Sequence, residues 1–389
     1  MNIVQNLLNS MQPTRNRSTT TRLSFGLMVN VWIFTTALAT WLPTGLSAQP
    51  NCQTVPASEV QEVTSRSLFD LFGQSHAEPL RIGLMTDLGT LLSDRRNDEY
   101  QPASLSLTDP FGSVTNWKAR VKMRGRFRRM NCDFPPLKLD LDKDELRAAG
   151  LAPFDQFKLV THCLDDETSR QVVLREYLAY AMYRALTGQS FRTRLVEVRY
   201  TDVSGTYDGF TRLGFLIEDI DELAARLGGE EFEIMNLPDD SFDPYQRMMQ
   251  SLFQFMVANT DWDLVMARNV KFIKQPFSEE VLAIPYDFDF SGLVNAPYAI
   301  PDPNIGLTSL TDRVFKGPRE TEVVVRATVA HYQAKKSDLL RVIDELESLD
   351  RESRSHARQM IQSFYRILEN ETLVKRLFVS PDEGGRVDN

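Results

Sequence analysis

In the window Asn259-Thr-Asp-Trp-Asp-Leu-Val-Met-Ala-Arg-Asn269, Asp261 is followed eight residues later by Asn269. Eighteen residues beyond Asn269 comes Asp287-Phe-Asp-Phe-Ser-Gly292. A set of this kind can divide a difficult task. One carboxylate orients or deprotonates an acceptor hydroxyl, while an amide oxygen and a second carboxylate hold a divalent cation against phosphate oxygens. Hard oxygen ligands favour magnesium or manganese over zinc. Any single aspartate reads equally well as a cap or a solvated strand end. The joint pattern, a carboxylate pair directly after an apolar strand with a second Asp/Asn set one hairpin upstream, points to a site.

The elements around this set follow from periodicity. Leu80 to Thr86 and Ala119 to Met123 alternate apolar and polar residues as half-buried strands do, with a polar segment, Asp94 to Trp117, between them. Strands are also expected at Leu137 to Leu141, Phe157 to Thr161, Val196 to Tyr200 and Leu213 to Glu218. Ser169 to Thr187 carries a broad apolar face at the helical period and closes at Gly188. Val270 to Ile273 and Val281 to Pro285 flank a turn as a hairpin would. Tyr245 to Ala258 and most of Val323 to Leu373 read as helix. The order implies an α+β chain with a β-rich N-terminal lobe, a mainly helical C-terminal lobe and a cleft between them.

Composition narrows the function classes. The full chain carries a net charge of −9, and without residues 1 to 48, which hold Arg15, Arg17, Arg22 and no acid, it has 41 basic against 53 acidic groups, or −12. Such a balance argues against nucleic acid and anionic membrane surfaces as partners. HExxH, Gly-x-Ser-x-Gly and GxxxxGK[ST] are absent from the sequence, which removes support for zinc proteases, α/β-hydrolases and P-loop enzymes. The four histidines, His76, His162, His331 and His356, are scattered. His162 reads as a core or edge residue.

The three arginines near the N-terminus precede an apolar run from Leu23 to Leu42, then Pro43, Gly45 and Leu46-Ser47-Ala48. This predicts export with cleavage near Ala48; the alternative is an uncleaved anchor, since about 20 apolar residues span a bilayer. The division expected is 1–48 signal or anchor, 49–79 lead-in, 80–376 main domain and 377–389 flexible tail. Of the three cysteines, Cys52, Cys132 and Cys163, the last two lie beside strands. They are either joined, as an oxidising compartment permits, or two buried thiols.

Across roughly Arg120 to Gly292 the chain resembles the CotH family of spore-coat, protein kinase-like proteins. The residues that carry the resemblance are Met123-Arg124-Gly125 with its basic continuation, Lys138 in an apolar strand, the helix from Ser169 to Leu178, Gly214-Phe-Leu-Ile-Glu218, the Asp261 to Asn269 segment and Asp287-Phe-Asp289. The resemblance implies an atypical protein kinase-like fold of two lobes. It also implies an ATP-dependent kinase that uses Mg2+ or Mn2+ and acts on a protein or surface-associated substrate. Arg124 and Gly125 would belong to the loop covering the phosphates, Lys138 would neutralise them, and Glu176 would pair with Lys138. Glu218 would stand at the passage between lobes. Asp261 would be the catalytic carboxylate and Asn269 and Asp287 the metal ligands, with Asp289 an alternative ligand. Lys158, at the start of its own apolar strand, rivals Lys138.

The chain departs from the family pattern after Arg124-Gly125. Arg126-Phe-Arg-Arg129 stands where small hydroxyl residues are usual, so phosphate would be gripped by guanidinium forks. Two further readings remain: a catalytically silent envelope scaffold, and another nucleotide-dependent transfer, such as adenylylation, on the same fold.

Overall fold

A computed structural model describes residues 66–73, 78–108 and 112–381. The expected signal or anchor lies outside the described residues. Among them, no helix is long and apolar enough to cross a membrane.

The described residues begin with a short helix, α1 (Leu68–Leu71), followed by β1 (Leu80–Thr86), α2 (Leu88–Ser93), β2 (Gln101–Thr108) and β3 (Val114–Met123). Next come α3 (Phe127–Asn131), β4 (Leu137–Leu141), α4 (Lys143–Ala148), β5 (Gln156–Val160) and the long α5 (Glu167–Leu186). β6 (Thr193–Asp202) and β7 (Phe210–Ile217) complete the sheet. The sheet-rich half is a closed barrel in the order β1-β2-β3-β4-β5-β7-β6. All pairs are antiparallel except β1 with β6, where Leu80 faces Val196 in parallel register. Closure removes the open edges that a smaller sheet would leave.

Strand alternation fills the barrel. Val121, Met123, Leu137, Leu139, Phe157, Leu159, Val196, Val198 and Leu216 turn inward into one apolar core. Lys122, Lys138 and Lys158 are the intervening residues and share the outer face. The lead-in belongs to this half: Leu68, Phe69 and Phe72 join the barrel core, and Phe69 stacks on Phe157 at 6.1 Å.

α5 starts where the Asp166 side chain accepts the Ser169 N–H at 2.6 Å. Most of its residues are buried, because it lies between the barrel and the helices. Tyr177 and Tyr180 pack on Phe215 of β7, with ring centroids 5.7 and 5.6 Å away. The rest of the chain is mainly helical: α6 (Ile220–Arg226), α7 (Pro244–Met256), α8 (Glu322–Ala334), α9 (Lys336–Glu345), α10 (Arg351–Leu368) and α11 (Glu371–Phe378). A small sheet, β8 (Glu230–Glu231), β9 (Val270–Lys274) and β10 (Val281–Pro285), lies among these helices. The β9–β10 hairpin sets Val270 opposite Pro285, which fixes where the chain leaves toward Asp287. α5 packs on α9, and α7 packs on α8 and β10.

The fold is thus mixed α and β, sheet-rich first and helical later, as the periodicity implied. Two boundaries differ. β2 occupies part of the segment expected to be irregular, and only Leu105 of its residues is buried. Order also runs past residue 376: Phe378 is fully buried, and Glu320 donates its backbone N–H to the Phe378 carbonyl and accepts that of Ser380.

Candidate functional site

The segment after α7 is built around left-handed backbone. Ala258, Ala267, Asn269 and Asp287 have φ of 52°, 47°, 53° and 62°, a region that costs a non-glycine residue about 1–2 kcal/mol and is easiest for Asn and Asp. With Phe277 of the β9–β10 turn (φ 65°) there are five such residues in thirty positions, two of them alanines, a locally strained frame of the kind found at functional sites.

Asn269 ties the frame together. Its amide nitrogen donates to the Asp261 carbonyl at 2.6 Å and to Asp261 Oδ2 at 3.0 Å. Its backbone carbonyl accepts the Tyr286 N–H at 3.1 Å, one residue before Asp287. The structure therefore brings Asp261, Asn269 and Asp287 to one place. Asn259 accepts the Asp261 N–H at 3.0 Å. Arg268 approaches Asp261 Oδ1 at 3.5 Å. Lys316 donates to the Thr260 and Trp262 carbonyls at 2.7 and 2.9 Å, so a cation flanks Asp261 on both sides in sequence. Burial, followed by the charge of Arg268, lowers the Lys316 pKa. Lys316 is far from this window in sequence, and no local pattern singled it out.

Asp287 donates its N–H to the Tyr180 hydroxyl of α5 at 2.8 Å. Its Oδ1 lies 3.4 Å from Arg128 Nη2. Arg128 also grips Glu176 of α5 through Nη1 at 3.0 Å and Nη2 at 3.2 Å, and its Nε lies 3.2 Å from Asp289 Oδ2. The Tyr298 hydroxyl donates to the same Asp289 oxygen at 3.2 Å. Arg128, Glu176 and Asp289 are 6%, 0% and 5% exposed, so the cluster is sealed on all sides but that of Asp287. Burial pushes the Asp289 carboxyl up to about 8, with Arg128 pulling the other way. Burial likewise raises Glu176 against the pull of Arg128. Burial is the largest single influence on Arg128 and lowers its pKa, but the charges of Glu176, Tyr298, Asp289 and Asp287 together outweigh it and raise the pKa.

Two expectations are corrected here. The partner of Glu176 is Arg128, not Lys138. Arg128 turns inward to carboxylates and is unavailable as a phosphate fork, because α3 is pinned against the protein: Phe127 packs on Phe290 and Tyr298 at 5.3 and 5.6 Å. Cys132, at the end of α3, is bonded to Cys163.

Along β3, β4 and β5 runs a row of cations. Lys122 faces Lys138 across β3 and β4, and Lys138 faces Lys158 across β4 and β5. The two lysines proposed as rivals are therefore cross-strand neighbours, and like charges in that relation repel. Lys122 is neutralised by Asp98 at 3.1 Å. Among the described residues, Lys138 and Lys158 have no ion-pair partner. The Lys158 ammonium lies 4.6 Å from the Tyr286 ring and 5.4 Å from the Phe191 ring. Burial, then repulsion from Arg124 and Lys271, lowers its pKa to about 7, with Asp287 pulling the other way. Arg124 stands at the head of the next turn, its N–H on the Pro136 carbonyl at 2.8 Å, and its charge reaches Lys158, Glu176 and Tyr286. Gly125 has φ of 81°, which glycine supplies without strain.

Glu218 stands apart. It directly follows β7, and its carboxylate is buried between Arg192 at 2.6 Å and Arg226 at 2.7 Å. Among the described residues, no group of three His, Cys, Asp or Glu side chains is arranged to hold a metal ion. The residues do fit one divalent cation through other atoms. Asn269 spends its amide nitrogen on Asp261, which leaves its amide oxygen free of that pairing, and Asp287 engages Arg128 through one of its two oxygens.

No family model matches the chain, and no curated protein does. Among solved structures it is similar to the Helicobacter pylori proinflammatory kinase CtkA, with a TM-score of 0.35 and 10% identity over 62% of this chain and 94% of that one. A likeness at this level carries no argument about activity.

Proposed function

We propose that this chain is a kinase-like phosphotransferase, its two lobes being the barrel and the helical half, which binds ATP together with a divalent cation and phosphorylates a protein or surface-associated substrate. The observation that carries the reading is the shared frame of Asp261, Asn269 and Asp287 beside Lys158, whose ammonium lies 4.6 Å from the Tyr286 ring and whose cross-strand neighbour is Lys138. Phosphoryl transfer asks for positioning and charge neutralisation more than covalent chemistry, and such a set supplies both. Asp261 orients the acceptor hydroxyl. Asn269 and Asp287 offer the oxygens for Mg2+ or Mn2+, which when bound would neutralise charge on the phosphates. Lys158, with Lys138 and Arg124 beside it, meets the phosphates. Lys158 has the better claim of the two lysines, since its strand leads directly into α5 and its ammonium rests on the residue before Asp287.

The disulfide between Cys132 and Cys163 favours an oxidising compartment and thereby the export read from the N-terminus. Little ATP is present outside a bacterial cytoplasm, so this enzyme would work where nucleotide is supplied. One observation favours the silent scaffold instead: Arg128 already partly neutralises Asp287.

Nucleotide-dependent thermal stabilisation separates the two. The enzyme reading expects a shift with ATP and magnesium, equivalent to about 2.7 kcal/mol at a hundredfold excess over Kd. The shift should vanish with chelator and in Asp287→Asn, a substitution that tolerates the left-handed backbone. No shift with any nucleotide supports the scaffold.

A further inference from the structure

Three carboxylates, Glu176, Asp287 and Asp289, converge on one guanidinium. Arg128 spends Nη1 and Nη2 on Glu176, Nε on Asp289 and Nη2 again on Asp287, at distances of 3.0, 3.2, 3.2 and 3.4 Å. We propose that Arg128 is a resident cation of the site, standing at Asp287 in place of a second metal ion. The chain would then take up one divalent cation, through Asn269 and Asp287, and Asp289 would not be a ligand. This inference rests on the metal-dependent reading above.

Geometry and anchoring carry it. A planar fork with fixed donors suits bidentate carboxylate binding better than a mobile lysine would. The fork is also held from behind: Phe127 is wedged against Phe290 and Tyr298, and the Cys132–Cys163 bond ties the end of α3 to the residues after β5. Withdrawing the guanidinium would leave the carboxylates of Glu176 and Asp289 buried and uncompensated. A second divalent ion entering the cluster would meet this fixed positive charge. Asp289 already shares its Oδ2 between Arg128 and Tyr298, whereas Asp287 is more than a quarter exposed and has an oxygen to spare. A one-cation site with a built-in arginine needs no third free carboxylate, and among the described residues none is arranged for it.

The decisive measurement is the number of Mn2+ ions bound by the full chain in the presence of ADP, counted by electron paramagnetic resonance. One ion per chain is expected. Two overturn the inference and leave the phosphotransferase reading standing; none overturns both. In Asp289→Asn the count should stay at one, with Mn2+ affinity changed by no more than the 10-fold to 100-fold typical of a supporting residue. Loss of the ion in that variant would make Asp289 a ligand. Removing the guanidinium in Arg128→Gln should open the carboxylates to a second Mn2+, and a folded variant that still binds one refutes the substitution of arginine for metal. Should either variant fail to fold, the wild-type count decides alone.

Discussion

Two buried arginines each gather three carboxylates in this molecule, and they behave differently. Arg192 meets Asp70 at 2.6 Å, Glu218 at 2.6 Å and Glu222, and a second arginine, Arg226, shares Glu218. Its partners come from α1, the end of β7 and α6, so the cluster straps the lead-in onto the barrel. Ser67 adds a hydroxyl to Glu222 and caps α1, and Glu222 is pushed by burial up to about 7. Arg128 draws on the same chemistry but sits beside left-handed Asp287, a carboxylate with an open edge that also feels the charge of Lys158, a lysine in no ion pair among the described residues. A buried ion cluster alone is weak evidence of function. Strain and unmatched charge at its border are what distinguish the second from the first.

The largest expected effect tests the strapping role. Arg192→Ala should lower stability by about 3–5 kcal/mol, the cost of leaving buried carboxylates without their cation, as read by denaturant unfolding. Nucleotide affinity, measured under conditions where the variant is folded, should not change. A loss of affinity comparable to that of Asp287→Asn would erase the distinction between the clusters. Asp287→Asn itself should abolish the nucleotide-linked gain of about 2.7 kcal/mol while the unliganded melting temperature stays near that of the wild type.

Lys158→Met comes next. Losing the cation should weaken nucleotide binding by about tenfold or more, or 1.4 kcal/mol, without destabilising the free protein, because an unpaired ammonium in a confined place is itself a cost. The pH dependence has a definite sign. The folded pKa of Lys158 lies near 7, below its ordinary 10.5, so between these values the unfolded chain binds more protons. Stability from this residue therefore rises as pH climbs from about 7 toward 10.5, and the rise should be missing in Lys158→Met. Nucleotide binding, which favours the charged form, should take up a proton above pH 7. Titration calorimetry in buffers of different ionisation heat would detect it.

Local pattern made much of this legible. Apolar alternation located β1 and β4, the helical period found α5, and the run from Val270 to Pro285 showed its hairpin, since each is decided by neighbours a few residues apart. The candidate set of Asp261, Asn269 and Asp287, which the fold draws together, was visible as a spacing for the same reason. β2 stayed hidden because Gln101-Pro-Ala-Ser-Leu-Ser-Leu-Thr108 buries one residue fully and presents hydroxyls elsewhere. Closure of the barrel depends on a parallel pairing between β1 and β6 more than a hundred residues apart, which periodicity does not encode. The inward turn of Arg128 depends on the packing of Phe127 and on a disulfide, and the matching of Lys138 with Lys158 on a register that either strand alone leaves open. Lys316 reaches Asp261's neighbours across more than fifty residues. Residue pattern was readable where the chain is local, and partners were not where tertiary packing assigns them.

The smallest effect sharpens the contrast most finely, because each cluster has one neutral hydroxyl donating to a buried carboxylate. Tyr298→Phe deletes the bond to Asp289 and should cost about 1 kcal/mol of stability. Mn2+ count and affinity should stay put, since the phenol touches the sealed side of Arg128. Ser67→Ala removes the bond to Glu222 together with the cap of α1, so its cost should be larger, about 1–2 kcal/mol from the cap alone. If Tyr298→Phe instead altered metal binding as strongly as Asp287→Asn, Asp289 would have to face the metal. The sealed side of the Arg128 cluster would then be part of the site, and its likeness to the Arg192 strap would end there.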